Sequence, residues 1–595
     1  MVKNNEHVLE MTGASGAPGI ALGRAYHYDH PNIRVPHHKL APSEIDQEIT
    51  RLNSAILLSQ HQLVEASGKL QLDEHKQIIE AHLSLYQDPE FFHRLRQRIQ
   101  DLSINAEWAV TQIIAEVTNL FDHVEDPYLR ERRRDFEYVE RRLVMNLMGV
   151  SSSGLEGITD PVVLVAHDLS PADLAQINRD KILGIVTDLG GTTSHTAILA
   201  RALTIPTVVG LDAVTAEVKT GDLIIVDGFE GKVYLRPSME LITDFDTRRR
   251  QHKRFEEDLR KIRDLPAQTA DRVPVVLAAN IELPSELEIM RTNGVERIGL
   301  FRTEFLFLFS ANLPDEMAQY DVYRGVIEKL GARGVTTIRT IDLGGDKVSF
   351  AAADCQNEAN PAMGLRAIRL CLAHPDVFHT QLRAILRASA HGKTRIMFPM
   401  ISGMDELRQA KALLAKAKDE LRREGIPFDE NIEIGIMIET PAAVWIADLL
   451  AKEVNFFSIG TNDLIQYTLA VDRSNEHVNY LFHPLHPSIL RAILQVVIAG
   501  HNADIPVAMC GEMAGQPEYV MALLGLGLDE LSMTPSKALH VKRLLSRFTT
   551  DQARALATSA LQLTTAGEVD QFIVSYMHRE FPDEFNPEAK HNSWN

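Results

Sequence analysis

Two stretches of this chain hold residues whose types and order suit phosphate chemistry. The first is GGTTSHTAILAR, residues 190–201. The apolar run before it, 182–187, reads as a strand, and residues 196–203 read as a helix. His195 then stands near a helix N-terminus, where free backbone N–H groups favour an anion such as phosphate. The positive end of the helix dipole also disfavours imidazolium, which leaves a neutral, nucleophilic ring nitrogen. Thr192, Thr193, Ser194 and Thr196 supply hydroxyl donors beside it. A Ser/Thr-capped helix with an incidental histidine is the plainer alternative, and spacing alone leaves both open.

The second stretch is NFFSIGTNDLIQYTLAVDR, residues 455–473. A buried strand ends at Gly460, and Asn462 and Asp463 follow at once. Glu439 stands in the same relation to the run 434–438 in IGIMIET. Two hard oxygen ligands past adjacent strand ends suit Mg2+, which takes one or two protein carboxylates plus substrate oxygens. An N-cap Asp and a structural Glu would give the same pattern. Four arginines occupy comparable places: Arg302 in GLFRTEFLF, Arg339 in TTIRTIDLGGDK, Arg366 in NPAMGLRAIR, and Arg473. Guanidinium forks match carboxylate and phosphate geometry, although any one alone reads as a surface ion pair. Cys510, in AMCGEMAG, follows the run 506–509. A thiol is mostly protonated at neutral pH and can give up a proton; a buried inert cysteine is the alternative.

The elements that must position these residues are legible as alternating patterns. The apolar runs 275–281, 297–300, 336–341, 395–399, 433–438, 456–459, 506–509 and 530–533 are separated by helical segments. Eight such strands fit a (β/α)8 barrel, where ligands are handled at the strands' C-terminal ends. A doubly wound sheet is the competing topology. Earlier in the chain, the runs 162–165, 182–187, 223–226 and 232–235 make a compact α/β unit, and 13–28 a short β region. Four helical patterns lie between: a face of Ile45, Ile49, Leu52, Ile56 and Leu63, then 73–87, 106–121 and 127–148, the last closed by Gly149. They predict a helical bundle. Residues 239–264 read as a charged, solvated linker helix. The expected division is 1–38 with 150–238 for the α/β domain, 39–149 for the helical subdomain, 239–272 for the linker helix and 273–595 for the barrel.

Composition sets the outer limits. A chain of 595 residues holds roughly four domain-sized units. With 45% hydrophobic and 24% charged residues it is an ordinary globular composition. Acidic residues outnumber basic ones, 81 to 61, for a net charge of −20, which argues against a nucleic-acid binder. Three cysteines, Cys355, Cys371 and Cys510, are too few and scattered for a disulfide framework and suit a reducing cytoplasm. No apolar run reaches membrane-spanning length, and the first residues lack the apolar centre of a signal peptide.

Together the motifs resemble Enzyme I of the bacterial phosphotransferase system, the phosphoenolpyruvate–protein phosphotransferase family, from Gly13 to Thr565. The resemblance implies an α/β multidomain protein: an N-terminal α/β phosphohistidine domain with an inserted helical carrier-binding bundle, then a phosphoenolpyruvate-binding (β/α)8 barrel. It implies that His195 is the phosphorylated nucleophile and that Glu439 and Asp463 hold Mg2+. Arg302, Arg339 and Arg473 would bind the substrate's phosphate and carboxylate, with Arg366, Asn462 and Asp463 also lining that site. Cys510 would protonate the methylene carbon of enolpyruvate. Arg132, in YLRERRRDFEYVERR, would meet the carrier, a small HPr-type protein. A cytoplasmic homodimer joined through the barrel, serving sugar uptake, completes the picture. Two positions depart: the family often has Arg where this chain has Thr192, and a hydroxyl where it has Leu174.

Rival readings are a nitrogen-regulatory paralogue, a pyruvate phosphate dikinase or phosphoenolpyruvate synthase, a barrel lyase, and a non-catalytic phosphoenolpyruvate sensor. Only twelve residues precede Gly13, which favours the sugar-system form over a paralogue with an added sensory domain. The absence of a Walker-type glycine loop disfavours the nucleotide-dependent enzymes.

Overall fold

The computed structural model describes residues 8–28, 35–69, 83, 86, 89–119, 127–150, 155, 158–175, 177–191, 194–308, 313–331, 333–344, 358, 360–473, 475 and 477–585. It divides into two compact units, Met1–Lys253 and Arg254–Asn595.

The first unit is built on a mixed eight-stranded sheet. Its strands are β1 (Leu9–Thr12), β2 (Ala14–Ala17), β3 (Ile20–Tyr28), β4 (Val162–Ala166), β5 (Ile182–Thr187), β6 (Thr207–Val209), β7 (Leu223–Asp227) and β8 (Lys232–Leu235). Their order is β1-β8-β7-β3-β4-β5-β6-β2, and β3 to β6 run parallel. The predicted strands all appear. The predicted β region begins at Gly13 and so omits β1, and β6, whose three residues are too short to show a pattern, is also absent from the sequence reading.

The inserted helices pack around their own core, which includes Leu52, Leu63, Leu95, Ile99, Ile113 and Leu143. They are α1 (Ile45–Lys69), α2 (Pro89–Leu102), α3 (Ala106–Asn119) and α4 (Pro127–Met148). Helix α2 corrects the sequence reading, whose helical patterns end at 87 and resume at 106. Here Pro89 opens the next helix, a place where its missing N–H costs nothing. The helix predicted over 73–87 lies outside the described residues, apart from Leu83 and Tyr86.

Helix α6 (Met239–Lys261) follows α5 (His195–Leu203) and is not simply solvated. Within the first unit, Phe245 is buried under the guanidinium of Arg248, 4.7 Å from the ring. Arg248 pairs at 3.3 Å with the fully buried carboxylate of Asp227. Within the second unit, Phe255 packs edge-on against His540 at 5.2 Å and under Arg543 at 4.8 Å. The charge-rich composition concealed these apolar anchors.

The second unit is a closed parallel barrel, which settles the topology against a doubly wound sheet. The strands are β9 (Val276–Ile281), β10 (Arg297–Phe301), β11 (Val335–Arg339), β12 (Thr394–Phe398), β13 (Glu433–Ile438), β14 (Phe456–Ile459), β15 (Val507–Met509) and β16 (Glu530–Met533). Strand β16 pairs with β9 and closes the ring. Leu300, Met397, Met437, Phe456 and Cys510 cluster together in the second unit. Gly435 leaves room for the ring of Phe456, which an added Cβ would enter at 2.3 Å.

Candidate active site at the strand ends

Arg302 follows β10, Arg339 ends β11, Glu439 follows β13, and Cys510 follows β15. Asn462 and Asp463 open helix α7 (Thr461–Leu469), directly after β14. These are the C-terminal ends of the strands, where barrel enzymes carry their ligands.

A chain of ion pairs runs from Arg339 to Asp463 and brings in Arg366 between them. Arg339 Nη1 lies 2.9 Å from Asp342 Oδ2, and its Nη2 lies 3.0 Å from Glu304 Oε1. The same Glu304 oxygen accepts the backbone N–H of Asp342 at 3.0 Å. Asp342 Oδ1 lies 2.9 Å from Arg366 Nη2. Arg366 Nη1 reaches Asp463 Oδ1 at 3.4 Å and the hydroxyl of Tyr467 at 3.1 Å. Burial works against the charge on Arg339, but Glu304, Asp342 and Glu439 outweigh it and hold the guanidinium firmly protonated. For Arg366 the same contest is won by Asp342 and Asp463. A buried charge is tolerable only with such partners.

Glu439 is fully buried. Its Oε1 accepts the N–H of Met400 at 2.5 Å. Met400 has φ +56°, in the left-handed region that non-glycine residues seldom adopt, so strain is stored beside the site. The other oxygen, Oε2, is buried without a hydrogen-bond partner among the described residues. Burial, then the neighbouring Asp342 and Asp463, push the carboxyl up to about 8. Gly460 preserves space at this oxygen, since a Cβ there would lie 2.7 Å from Oε2. An orphaned carboxylate oxygen, a second carboxylate nearby and an open cradle fit a hard divalent cation completed by substrate oxygens. No cluster of three or more His, Cys, Asp or Glu suited to a metal occurs among the described residues.

Cys510 is buried, with Sγ 3.8 Å from the carbonyl of Ile459. Burial is the main cause that pushes its thiol up to about 11, which keeps the thiol form at neutral pH. Arg302 pairs with Glu282, and its Nε is buried without a partner among the described residues. Asn462 Nδ2 donates to Glu512 Oε1 at 3.0 Å. Arg473 is exposed, and among the described residues no side-chain contact joins it to the cluster.

In the first unit, Ser194 caps helix α5, its side chain accepting the N–H of Ala197 at 3.3 Å. His195 is the first residue of that helix, as the anion-site reading requires. The side chain of His195, that of Arg132 in α4, and Thr192 with Thr193 lie outside the described part. Thr196 Oγ1 donates to the carbonyl of Leu169 at 3.2 Å. Leu174 is buried, so the departure at that position is an apolar core contact.

Glu304, Asp342 and Tyr467 lie within the motif segments, yet no motif marks them as site residues. Their signal was position: Glu304 and Asp342 each stand within a few residues of a strand's C-terminal end, like the arginines they pair with.

Comparison with known proteins agrees with this architecture. The family described as PEP-utilising enzyme, PEP-binding domain, matches residues 256–550. The PEP-utilising enzyme N-terminal family matches 12–132, and the mobile-domain family matches 158–231. The phosphoenolpyruvate-protein phosphotransferase of Geobacillus stearothermophilus is 43% identical over 94% of this chain and 97% of its own length. That of Staphylococcus aureus is 40% identical over 95% and 99%. An NMR solution structure of an Enzyme I protein is 36% identical, covering 41% of this chain and 99% of that one, with a TM-score of 0.36. No helix among the described residues is long and apolar enough to cross a membrane. With barrel, mobile and N-terminal regions all matched, and near-full-length relatives at 40–43% identity, the chain belongs to the phosphoenolpyruvate–protein phosphotransferase family.

Proposed function

We propose that this enzyme moves the phosphoryl group of phosphoenolpyruvate first to His195 and then to a histidine on a small HPr-type carrier, the first step of sugar uptake. A neutral ring nitrogen of His195 attacks phosphorus as the bond to the enol oxygen breaks. Such a transfer needs alignment and charge neutralisation more than covalent help. Arg302, Arg339 and Arg473 bind the phosphate and carboxylate, with Arg366 and Asn462 assisting. Glu439 and Asp463 would hold Mg2+, which when bound supplies further neutralisation of the substrate's negative charge. The enolate left behind takes the thiol proton of Cys510 at its methylene carbon, giving pyruvate, and water reprotonates the thiolate. Arg132 on α4 meets the carrier. The protein works as a cytoplasmic homodimer joined through the barrel.

The observation that carries this reading is the buried Oε2 of Glu439, unpartnered among the described residues, beside the Arg339–Asp342–Arg366 chain. The test is incubation of the full-length protein with Mg2+ and phosphoenolpyruvate labelled in its phosphate. Acid-labile label should map to His195, disappear in His195→Ala, and leave on addition of an HPr-type carrier. Phosphoenolpyruvate binding without any label would sink the reading in favour of a sensor.

A further inference from the structure

The backbone at Cys510 is held from both sides. On one side, Asn280 of β9 donates from Nδ2 to the Cys510 carbonyl at 2.8 Å. The carboxamide oxygen of Asn280 accepts from Ser532 Oγ of β16 at 2.6 Å. Strand β16 lies between β9 and β15, so Asn280 reaches across it, with Ser532 as its support. A carbonyl can only accept, so the Cys510 oxygen fixes which end of the carboxamide faces it, and Ser532 must donate to the other. Ser532 is buried, and Gly299 makes room for it: a Cβ there would lie 2.6 Å from Ser532 Cβ. On the opposite side, Gly511 presses on α7, where an added Cβ would meet the backbone N of Thr461 at 2.6 Å. The Cys510 N–H donates to the Ile459 carbonyl at 3.1 Å.

We infer that Asn280, oriented by Ser532, is a positioning residue that fixes the Cys510 thiol on one face of the enolate, so that the methylene carbon is protonated from that face before the enolate escapes. The inference rests on Cys510 being the proton donor, as proposed above. In that step the S–H bond breaks, its electron pair stays on sulfur, and a C–H bond forms at the methylene carbon. The peptide that follows Cα of Cys510 sets the direction of its Cα–Cβ bond. A residue gripping that peptide therefore controls the face of attack without touching the substrate, and small misplacements are costly in such steps.

The test uses full-length protein at one equivalent with Mg2+ and phosphoenolpyruvate stereospecifically tritiated on its methylene carbon, in D2O. Pyruvate is trapped at once by lactate dehydrogenase, and the chirality of its methyl group is read. The parent protein should give one configuration. Asn280→Ala should shift the partition towards unselective solvent protonation by about fivefold, the factor carried by one lost hydrogen bond. Ser532→Ala should shift it the same way by less, and the double variant should add little to Asn280→Ala. If Asn280→Ala does not fold, Ser532→Ala decides. Full selectivity in these variants, with selectivity lost in Cys510→Ala, overturns the inference and leaves the role of Cys510 standing. Full selectivity in Cys510→Ala overturns that role, and the inference falls with it.

Discussion

Asp342 holds Arg366 with one carboxylate oxygen, at 2.9 Å, while its other oxygen holds Arg339 at the same distance. Two guanidiniums from different segments are thereby fixed at one spacing before any substrate arrives. Asp342→Asn should leave both buried charges short of their shared partner. Breaking a buried pair in this way costs about 3–5 kcal/mol, so the denaturant midpoint of the barrel should fall at pH 7. Burial pushes the Asp342 carboxyl up, but Arg339 and Arg366 outweigh it and hold it below its usual 3.8. A depressed carboxyl contributes stability above its unfolded-state pKa and loses it as pH falls through the folded value. The variant and parent curves should therefore converge in acid. Equal midpoints at pH 7 would show that the network is energetically idle.

Glu439 has the opposite sign. Its folded value near 8 exceeds the ordinary 4.5. Between those two values the folded chain binds more protons than the unfolded one, so metal-free stability should fall as pH rises across that window. Glu439→Gln should flatten that slope. Mg2+ binding should also displace a proton from Glu439 in the same window. Calorimetry at pH 7 in buffers of different ionisation enthalpy should register that release, and it should vanish in Glu439→Gln.

The Cys510 thiol, pushed up to about 11 by burial, should alkylate slowly at neutral pH. Because the thiolate is the reactive form, the iodoacetamide rate at Cys510 should rise about tenfold per pH unit between 7 and 10. Mass spectrometry of the modified peptide gives the rate. A rate already flat by pH 8 would contradict the buried, protonated thiol.

Tyr138 of α4 donates its hydroxyl to Asp168 Oδ2 at 2.6 Å and lies 3.3 Å from the Leu169 carbonyl, which also accepts from Thr196 of α5. A helix of the bundle is thus tied to the first turn of the His195 helix. Tyr138→Phe removes a hydrogen bond to a carboxylate, worth about 1.5–3 kcal/mol. Amide exchange in α4 should accelerate by the corresponding factor of about 10 or more. Unchanged protection would show that the tie carries no energy.

The sequence by itself determined the strands of the barrel and the residues at their ends. Parallel strands buried on both faces are near-continuous apolar runs, which is why Glu433–Ile438 and Phe456–Ile459 read directly. A polar residue shortly past such a run, such as Glu439 or Asp463, is then conspicuous. His195 at the head of a helix was legible for the same reason: strand, paired glycines, cap and helix are all local. Helix α2 was missed because Pro89 can end one helix or begin another, and only packing against the bundle decides.

What the tertiary structure alone decided is who faces whom. Asp342 pairs with Arg366, 24 positions away, and Asn280 with Cys510, 230 positions away. The oxygen of Glu439 left unpartnered among the described residues and the strained backbone of Met400 are also properties of the closed ring. Periodicity reports which side of an element is buried. Pairing across a barrel depends on register and closure, and β16 meeting β9 is what brings the ends of distant segments within hydrogen-bonding distance.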